Sequence, residues 1–368
     1  MVTLPAFTDL HVHLREPGQT WKETIRSGSL AAARGGYTLV CAMPNLDPVP
    51  DCPANLAVEQ AAIDRDAVIR VLPYCSITKG RKGLETVDFE ALKGSCVAFS
   101  DDGSGVQDRE MMLKAMREAA AADVILAAHC EDNSLLHGGY IHDGRWCAVH
   151  GHKGICSESE WRQIERDLEL CAITGCRYHV CHISTARSVE LIREAKRNGV
   201  KVTCETAPHY LLLCEDDMQE DGRFKMNPPL RSAADREALI EGLRDGTIDV
   251  IATDHAPHSA REKSLGLQGS AMGIVGLETA FPVLYTRLVR TGIISLERLV
   301  EAMSTAPRRI FRIPSAPLDS IDVDLDTPFT IRSSDFLSMG KATPFDGWTV
   351  YGRILQTRFN GKTVYQAL

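Results

Sequence analysis

The sequence predicts a (β/α)8 barrel, and three observations favour this fold. Short, β-rich apolar segments alternate eight times with longer amphipathic segments, which is typical of repeated βα units around a parallel sheet. The apolar segments are nearly continuous, as expected for strands that are buried on both faces. No GxGxxG motif follows the first of them, so a doubly wound dinucleotide-binding sheet is disfavoured.

Eight segments are the predicted strands of the barrel, and the helices between them have recognisable ends. The strands are residues 6–10, 37–42, 68–74, 96–99, 124–128, 178–181, 201–205 and 248–252. After the sixth strand, Ser184 is the predicted N-cap of a helix, and Gly199 is the left-handed residue that follows it. After residue 230, Ser232 and Asp235 form a predicted capping box, and that helix stops at Gly246.

The chain is longer than the barrel alone requires. A barrel of this kind takes ~250 of the 368 residues, and we expect it to close by about residue 254. Two helices and a β meander are predicted to follow, at residues 277–289 and 296–304 and at 348–351, 354–359 and 362–365. Asn360-Gly361 is the predicted hairpin turn of the meander. We therefore predict a barrel with its following helices over residues 1–310 and a small, reduced C-terminal β satellite region over residues 311–368.

Composition excludes several functional classes. The net charge is −8, and lysine and arginine form no cluster, so nucleic acid is not an expected partner. No run of 18 apolar residues is present, and the first residues lack the basic and apolar regions of a secretory signal. The 12 cysteines form no CxxC motif, which favours reduced, buried thiols. We expect a cytoplasmic protein that does not bind membranes.

The end of the first strand carries the strongest chemical signal. His11, His13 and Arg15 alternate with apolar residues. Because successive side chains of a strand point to opposite sides, these three project from the same side. Two imidazoles on one side of a barrel mouth are a natural beginning of a metal site. Taken alone, the pattern also fits solvent-facing strand positions.

Histidines and aspartates also follow four other predicted strands. They are Asp101 and Asp102 after the fourth strand, His129 after the fifth, His179 and His182 at the sixth, and Asp254 after the eighth. The carboxyl ends of barrel strands meet at one face, where active sites are built. Four imidazoles and a bridging carboxylate suit two zinc ions about 3.5–4 Å apart that share a hydroxide.

Seven short motifs occur in order within residues 5–310. They are HVHLREPG at 11–18, CAMPN at 41–45, FSDDG at 99–103, AHCE at 128–131, HVCHIS at 179–184, FKMNPPL at 224–230 and ATDHAPH at 252–258. Together they resemble the dihydroorotase family of the amidohydrolase superfamily, in the bacterial branch whose metals are bridged by an aspartate and not by a carbamylated lysine. Family members usually have β structure before the HxH strand, whereas ten residues precede His11 here. Any satellite sheet is therefore expected mainly from the C-terminal tail.

The resemblance implies a role for each candidate metal ligand. His11 and His13 would bind the first zinc, His129 and His182 the second, and Asp102 would bridge the two ions. Asp254 would contact the first zinc and handle the proton during catalysis.

Strand alternation separates the candidate ligands from their neighbours. Adjacent residues at a strand end point opposite ways, so only one of Asp101 and Asp102 can face the metals, and Asp102 is favoured. By the same argument, His182 shares a face with Val180, whereas His179 points towards the helices as a packing or hydrogen-bonding residue. Two further histidines are expected to be structural, His209 and His255.

The resemblance implies reversible hydrolysis of the cyclic amide of L-dihydroorotate to N-carbamoyl-L-aspartate, in pyrimidine biosynthesis. Arg15 offers a planar fork for the substrate carboxylate. The other positions that match substrate contacts are Asn45 and His258 for the carboxylate, and Asn227 and the backbone near Met272 and Gly273 for the ring.

Two alternative functions stay open. A hydantoinase or allantoinase would share the barrel and the metals, but its substrates lack the carboxylate that Arg15 would bind. A non-catalytic relative would act as an assembly partner, although every metal and proton-transfer position is filled here. The resemblance also implies a homodimer and, in some members, association with aspartate transcarbamoylase. The long segment 137–156 is expected to cover a site or to be mobile.

Overall fold

The computed structural model describes residues 1–367 and contains a closed parallel barrel. Its strands are Phe7–Val12, Tyr37–Ala42, Arg70–Pro73, Ile125–Ala128, Arg177–Val180, Val202–Thr206 and Val250–Ile251. The fourth strand consists of a single residue, Phe99, which forms isolated parallel β-bridges with Cys75 on one side and Leu126 on the other. Val12 pairs with His255 and closes the ring. The predicted fold class is confirmed.

The barrel interior is an apolar layer beneath the strand ends. Leu10, Leu39, Cys41 and Tyr74 belong to one cluster and are fully buried. Phe311 joins the same cluster from the amino ends of the strands. The barrel is therefore filled from that end, and its mouth lies at the carboxyl ends of the strands.

Helices surround the barrel. They are Ile25–Arg34, Pro53–Asp66, Phe89–Leu92, Arg109–Ala122, Glu158–Thr174, Ala186–Arg197 and Ala233–Asp245, with shorter helices at Arg145–His150, Pro208–Leu212, Ala260–Lys263 and Gly266–Gly269. The predicted capping box of Ser232 and Asp235 is confirmed. Gly246 ends that helix with a φ of +81°, a left-handed conformation that glycine adopts without steric cost.

The helix after the sixth strand begins one residue later than predicted. Thr185 is its N-cap and accepts a hydrogen bond from the backbone N–H of Ser188. The predicted cap, Ser184, instead donates its hydroxyl to the buried carboxylate of Glu160. Gly199 follows the helix with a φ of +78°, as predicted.

Two helical segments follow the barrel. Ala280–Leu284 continues into the π-helical turn Tyr285–Val289, so this segment begins at residue 280 and not at the predicted 277. The second segment consists of Leu296–Val300, Glu301–Thr305 and Ala306–Ile310, and it extends to residue 310, beyond the predicted 304.

A small antiparallel sheet packs beside the barrel. Its strands, in spatial order, are Val2–Pro5, Ser320–Asp324, Arg353–Phe359 and Lys362–Gln366. Asn360 and Gly361 form the predicted hairpin turn, and both have left-handed φ angles, +51° and +75°. Val2–Pro5 was missed because this mostly exposed edge strand has only four residues and ends in a proline, so it gives no clear strand signal. The division at residue 310 stays a prediction, although the sheet draws one strand from the amino end.

The segment 137–156 contains regular structure. Ile141–His142 pairs in parallel with Gly154–Ile155 around the helix Arg145–His150. The Arg231 guanidinium donates to the Ile155 carbonyl at 2.8 Å and attaches the segment to the barrel mouth.

A short two-stranded pairing, Phe329–Thr330 with Thr349–Val350, completes the tail. No helix within residues 1–367 has both the length and the apolar character needed to cross a membrane.

Candidate active site

A bulge in the first strand positions the two histidines of the HxH motif. The pairing of this strand with the second shifts between Asp9 and Val12. The buried Asp9 carboxylate accepts hydrogen bonds from the backbone N–H of His11, at 3.0 Å, and from the Thr253 hydroxyl, at 2.6 Å. Asp9 therefore ties the first strand to the eighth at the level of His11 and His13, and both imidazoles are buried there.

The sixth strand contradicts the predicted direction of His179. Val180 packs in the apolar cluster that the barrel shares with its helices. His179 instead lies in the barrel interior, 2.8 Å from Thr203 Oγ1 and 3.2 Å from Glu205 Oε2. His182 reaches the mouth because its own backbone is left-handed, with a φ of +32°. The hydrogen-bonding role of His179 is confirmed, but its direction was wrong because alternation stops where the strand ends.

Asp102 lies among the four candidate histidine ligands. The distances are 3.4 Å from Oδ1 to His11 Nε2, 3.6 Å from Oδ1 to His182 Nε2, 3.9 Å from Oδ1 to His129 Nδ1 and 3.5 Å from Oδ2 to His13 Nε2. Burial disfavours the charged carboxylate, but the interactions with His11, His182 and His13 together outweigh burial and hold the pKa of Asp102 well below its usual value. The Asp102 carboxylate is therefore ionised, and it lies at the centre of the four histidine side chains.

Asp101 points away from this cluster. Its Oδ1 accepts hydrogen bonds from the backbone N–H groups of Ile77 and Thr78, at 2.8 and 3.0 Å, and its Oδ2 accepts one from the Thr78 hydroxyl. Asp101 thus holds the loop after the third strand. The structure brings Asp102, and not Asp101, to the four histidines.

Asp254 faces the first histidine pair. Its Oδ1 lies 3.3 Å from His13 Nε2 and 3.6 Å from His11 Nε2. Its backbone has a φ of +48°, which is uncommon for a non-glycine residue and typical of functional positions. Burial opposes ionisation, but hydrogen bonding to His13 and the surrounding histidine charge lower the pKa of Asp254 below its usual value. Asp254 is therefore an ionised carboxylate beside the cluster.

The donor atoms of this cluster suit a bound metal. His129 Nδ1 and His182 Nε2 face each other at 3.1 Å. His11 Nε2 and Asp102 Oδ1 are buried without a hydrogen-bond partner among the described residues. Two ligand atoms of one tetrahedral zinc lie about 3.3 Å apart, close to the 3.4 Å between these two atoms. Asp102 groups once with His11 and His13 and once with His129 and His182, so the cluster has the composition and spacing of a metal-binding site with two overlapping ligand groups.

Two carboxylates that support the cluster were missed by the sequence reasoning. Glu205 Oε1 accepts from His11 Nδ1 at 2.9 Å, which leaves His11 Nε2 directed at Asp102. Glu131 lies 3.5 Å from His129 Nε2 and accepts from Asn227 Nδ2 at 3.0 Å. The signal for Glu205 was a charged side chain at the penultimate position of a mostly buried strand.

A cavity of about 220 Å³ opens directly above the cluster. It is lined by every predicted substrate-contact position, and these are Arg15, Asn45, Asn227, His258, Met272 and Gly273. The candidate ligands that also line it are His13, Asp102, His129, His182 and Asp254, while His11 lies beneath them. Asn45 Nδ2 donates to Asp102 Oδ2 at 3.1 Å. The structure therefore brings the predicted metal and substrate positions into one site.

Arg15 brings a fixed positive charge into this cavity. Its backbone is left-handed, with a φ of +62°, and its Nε donates to the Pro257 carbonyl at 3.3 Å. Burial lowers the pKa of Arg15 to about 10, so the guanidinium remains charged at neutral pH. His258 Nε2 lies 3.5 Å from the Nη2 atom of Arg15 and donates to the Met272 carbonyl at 2.8 Å. Burial and the charge of Arg15 lower the pKa of His258 to about 3, so this imidazole is neutral.

Gly273 is required by the shape of the cavity wall. Its φ is +131°, and a Cβ at this position would lie 2.8 Å from both the Cβ and the carbonyl oxygen of Ala256. Only glycine therefore lets the backbone of Met272 and Gly273 approach the cavity.

A parallel barrel whose mouth carries a cluster of histidine and aspartate side chains suited to metal binding is the arrangement of the metal-dependent amidohydrolases. Comparison with known proteins narrows this class. A family model described as Dihydro-orotase-like matches residues 1–188. The curated dihydroorotase of Shouchella clausii (strain KSM-K16) is 53% identical over 370 residues, which cover 98% of this chain and 87% of that protein. That of Bacillus caldolyticus is 51% identical over 371 residues, with 99% and 87% covered. The chain belongs to the dihydroorotase family.

Solved structures of related amidohydrolases share the fold. The L-hydantoinase (dihydropyrimidinase) of Arthrobacter aurescens is similar with a TM-score of 0.87 and 27% identity, covering 99% of this chain and 85% of that one. A dihydropyrimidinase of Brevibacillus agri has a TM-score of 0.85 at 22% identity, with the same coverage. At that identity the second likeness concerns the fold alone.

Proposed function

We propose that this chain is a dihydroorotase, a zinc enzyme that interconverts L-dihydroorotate and N-carbamoyl-L-aspartate in pyrimidine biosynthesis. The observation that carries this proposal is the position of the Arg15 guanidinium, in the same cavity as the metal-ligand cluster. Dihydroorotate joins a cyclic imide to a carboxylate. A planar guanidinium binds a carboxylate through two parallel hydrogen bonds, which would hold the ring over the cluster. The family assignment supports the same reaction.

We further propose that the cluster binds two zinc ions. His11 and His13 would hold one ion, and His129 and His182 the other, as the two overlapping ligand groups suggest. Asp102 would be shared between them. When bound, zinc lowers the pKa of a coordinated water towards neutrality and polarises a carbonyl oxygen.

The protein side chains would bind, orient and transfer a proton. In the hydrolytic direction, water adds to the ring carbonyl and the ring C–N bond breaks. Asp254 would accept the proton that the water loses and return it to the leaving nitrogen, acting first as base and then as acid. The carboxylate is ionised at neutral pH, which is the form that can accept that proton.

The remaining cavity residues would fix the substrate. Asn45 and His258 would join Arg15 at the substrate carboxylate, and Asn227 with the backbone of Met272 and Gly273 would hold the ring. These groups lie on separate loops of the mouth, so the substrate would be bound from several sides.

Substrate preference tests the proposal. Dihydroorotate, hydantoin and allantoin are assayed side by side with the same metal-replete protein. We expect the highest kcat/KM for dihydroorotate, because only this substrate offers a carboxylate to Arg15. A preference for hydantoin or allantoin would overturn the proposed substrate, and absence of turnover with all three would favour a non-catalytic assembly role.

We also propose, on the family resemblance, that the protein is a cytoplasmic homodimer that can associate with aspartate transcarbamoylase. Light scattering of the purified protein tests the dimer, and a monomeric mass would contradict it. Size-exclusion chromatography with added aspartate transcarbamoylase tests the association, and independent elution of the two proteins would contradict it.

A further inference from the structure

Lys263 places a buried ammonium group among backbone carbonyls. Its Nζ donates to the carbonyl oxygens of Lys225, at 3.0 Å, Ala271, at 2.8 Å, and Gly273, at 2.7 Å. An ammonium group has three N–H donors. All three are therefore used, and all three acceptors are main-chain groups.

The three carbonyls belong to the segments that carry proposed substrate contacts. Lys225 lies two residues before Asn227, and Ala271 and Gly273 flank Met272. Lys263 itself ends the short helix Ala260–Lys263, which begins two residues after His258. The backbone N–H of Gly273 also donates to the Lys225 carbonyl at 3.0 Å. One side chain thus links the loops of Asn227, His258 and Met272.

The surroundings of Lys263 make its third hydrogen bond sensitive to protonation. Burial and the charge of Lys225 lower the pKa of Lys263 to about 7, while Asp221 opposes this shift. The other titratable groups nearby are Glu262 and His258, on its own helix and the loop before it. A neutral amine has two donors, so deprotonation would break one of the three hydrogen bonds to the carbonyls.

We propose that Lys263 is a positioning residue for substrate binding, whose ammonium holds the loops of Asn227, His258 and Met272 in register around the ring. Lys263 does not line the cavity and acts only through these loops. The inference deepens the proposed function and rests on it, because the three loops matter only if they bind dihydroorotate. A substrate-binding role predicts an effect on KM that a purely structural role would not produce.

The variant Lys263→Met keeps an unbranched side chain only one atom shorter and removes its three donors. We expect KM for dihydroorotate to rise about tenfold or more, with kcat within about threefold of the parent and zinc content unchanged. The matched control is Lys196→Met. Lys196 donates to the Thr247 carbonyl at 2.7 Å and pairs with Asp249 at the amino end of the eighth strand, far from the mouth. Its loss should leave KM unchanged. A parent-like KM in a folded Lys263→Met protein would overturn the inference.

The pH dependence of KM tests the same idea without a variant, and so remains decisive if Lys263→Met does not fold. Since the protonated form has the third donor, KM of the parent should rise as pH increases through about 7 and the ammonium is lost. A KM that stays constant from about pH 6 to about pH 10.5, the ordinary pKa of a lysine, would refute the role of Lys263. A parent that never turns over dihydroorotate would instead refute the proposed function, so the two failures are distinguishable.

Discussion

Replacement of Asp254 by asparagine probes the proposed proton transfer. The side chain keeps its size and one oxygen near His13 and His11, which lie 3.3 and 3.6 Å from Asp254 Oδ1. It loses the ability to accept a proton. A positioned general base contributes 10²–10⁴-fold to the rate, or about 3–5 kcal/mol of barrier. We therefore expect Asp254→Asn to fold and to retain zinc, and its kcat for dihydroorotate to fall by about this factor.

The assay compares kcat at saturating dihydroorotate, zinc per chain and the circular dichroism spectrum. The control is Asp101→Asn, which makes the same charge change beside the cluster but in a side chain that binds Ile77 and Thr78. Its kcat should stay within about threefold of the parent. An Asp254→Asn protein with near-parent kcat would refute the assigned role. Loss of zinc together with activity would attribute the lost turnover to the missing metal, and would contradict a role of Asp254 limited to proton transfer.

Three further changes have distinct expected results. Arg15→Met should raise KM for dihydroorotate about 10- to 150-fold, because a hydrogen bond to a charged group contributes about 1.5–3 kcal/mol; an unchanged KM would exclude the guanidinium as the carboxylate site. Asp102→Asn should lose zinc during dialysis against a chelator while Asp101→Asn retains it, and equal retention would contradict the central position of Asp102. Ser232→Ala should lower the free energy of unfolding by about 1 kcal/mol, because it removes a helix cap; urea denaturation measures this, and an unchanged midpoint would contradict it.

The barrel was predictable from the sequence because strands buried on both faces leave a strong local pattern. The alternation of apolar and amphipathic segments located seven of the strands, and Ser232, Gly246 and Asn360-Gly361 marked element ends correctly. The edge strand Val2–Pro5 left no such pattern, because its pairing with Ser320–Asp324 is set by contacts over 300 residues apart in the chain.

The sequence predicted which residues lie in the site, but not the direction in which each side chain points. Strand alternation correctly predicted that Asp102 faces the histidines and that Asp101 points away from them. It wrongly directed His179 towards the helices, whereas this side chain lies in the barrel interior. The reason is physical. Several site residues leave extended geometry at the strand end, including His182 with a φ of +32° and Asp254 with a φ of +48°, and a period of two holds only within the strand. A charged residue in a mostly buried strand marks Glu205 as unusual, but its contact with His11, 194 residues away in the chain, has no local signature.

Anomalous diffraction at the zinc edge, from crystals of metal-replete protein, tests the proposed dinuclear centre most directly. We expect two peaks about 3.5–4 Å apart, one beside His11 and His13 and one beside His129 and His182, with Asp102 between them. An alternative ligand group of His11, Cys181 and Glu205 lies just beneath. A single peak at that group, or no peak within the cluster, would contradict a dinuclear zinc centre bridged by Asp102.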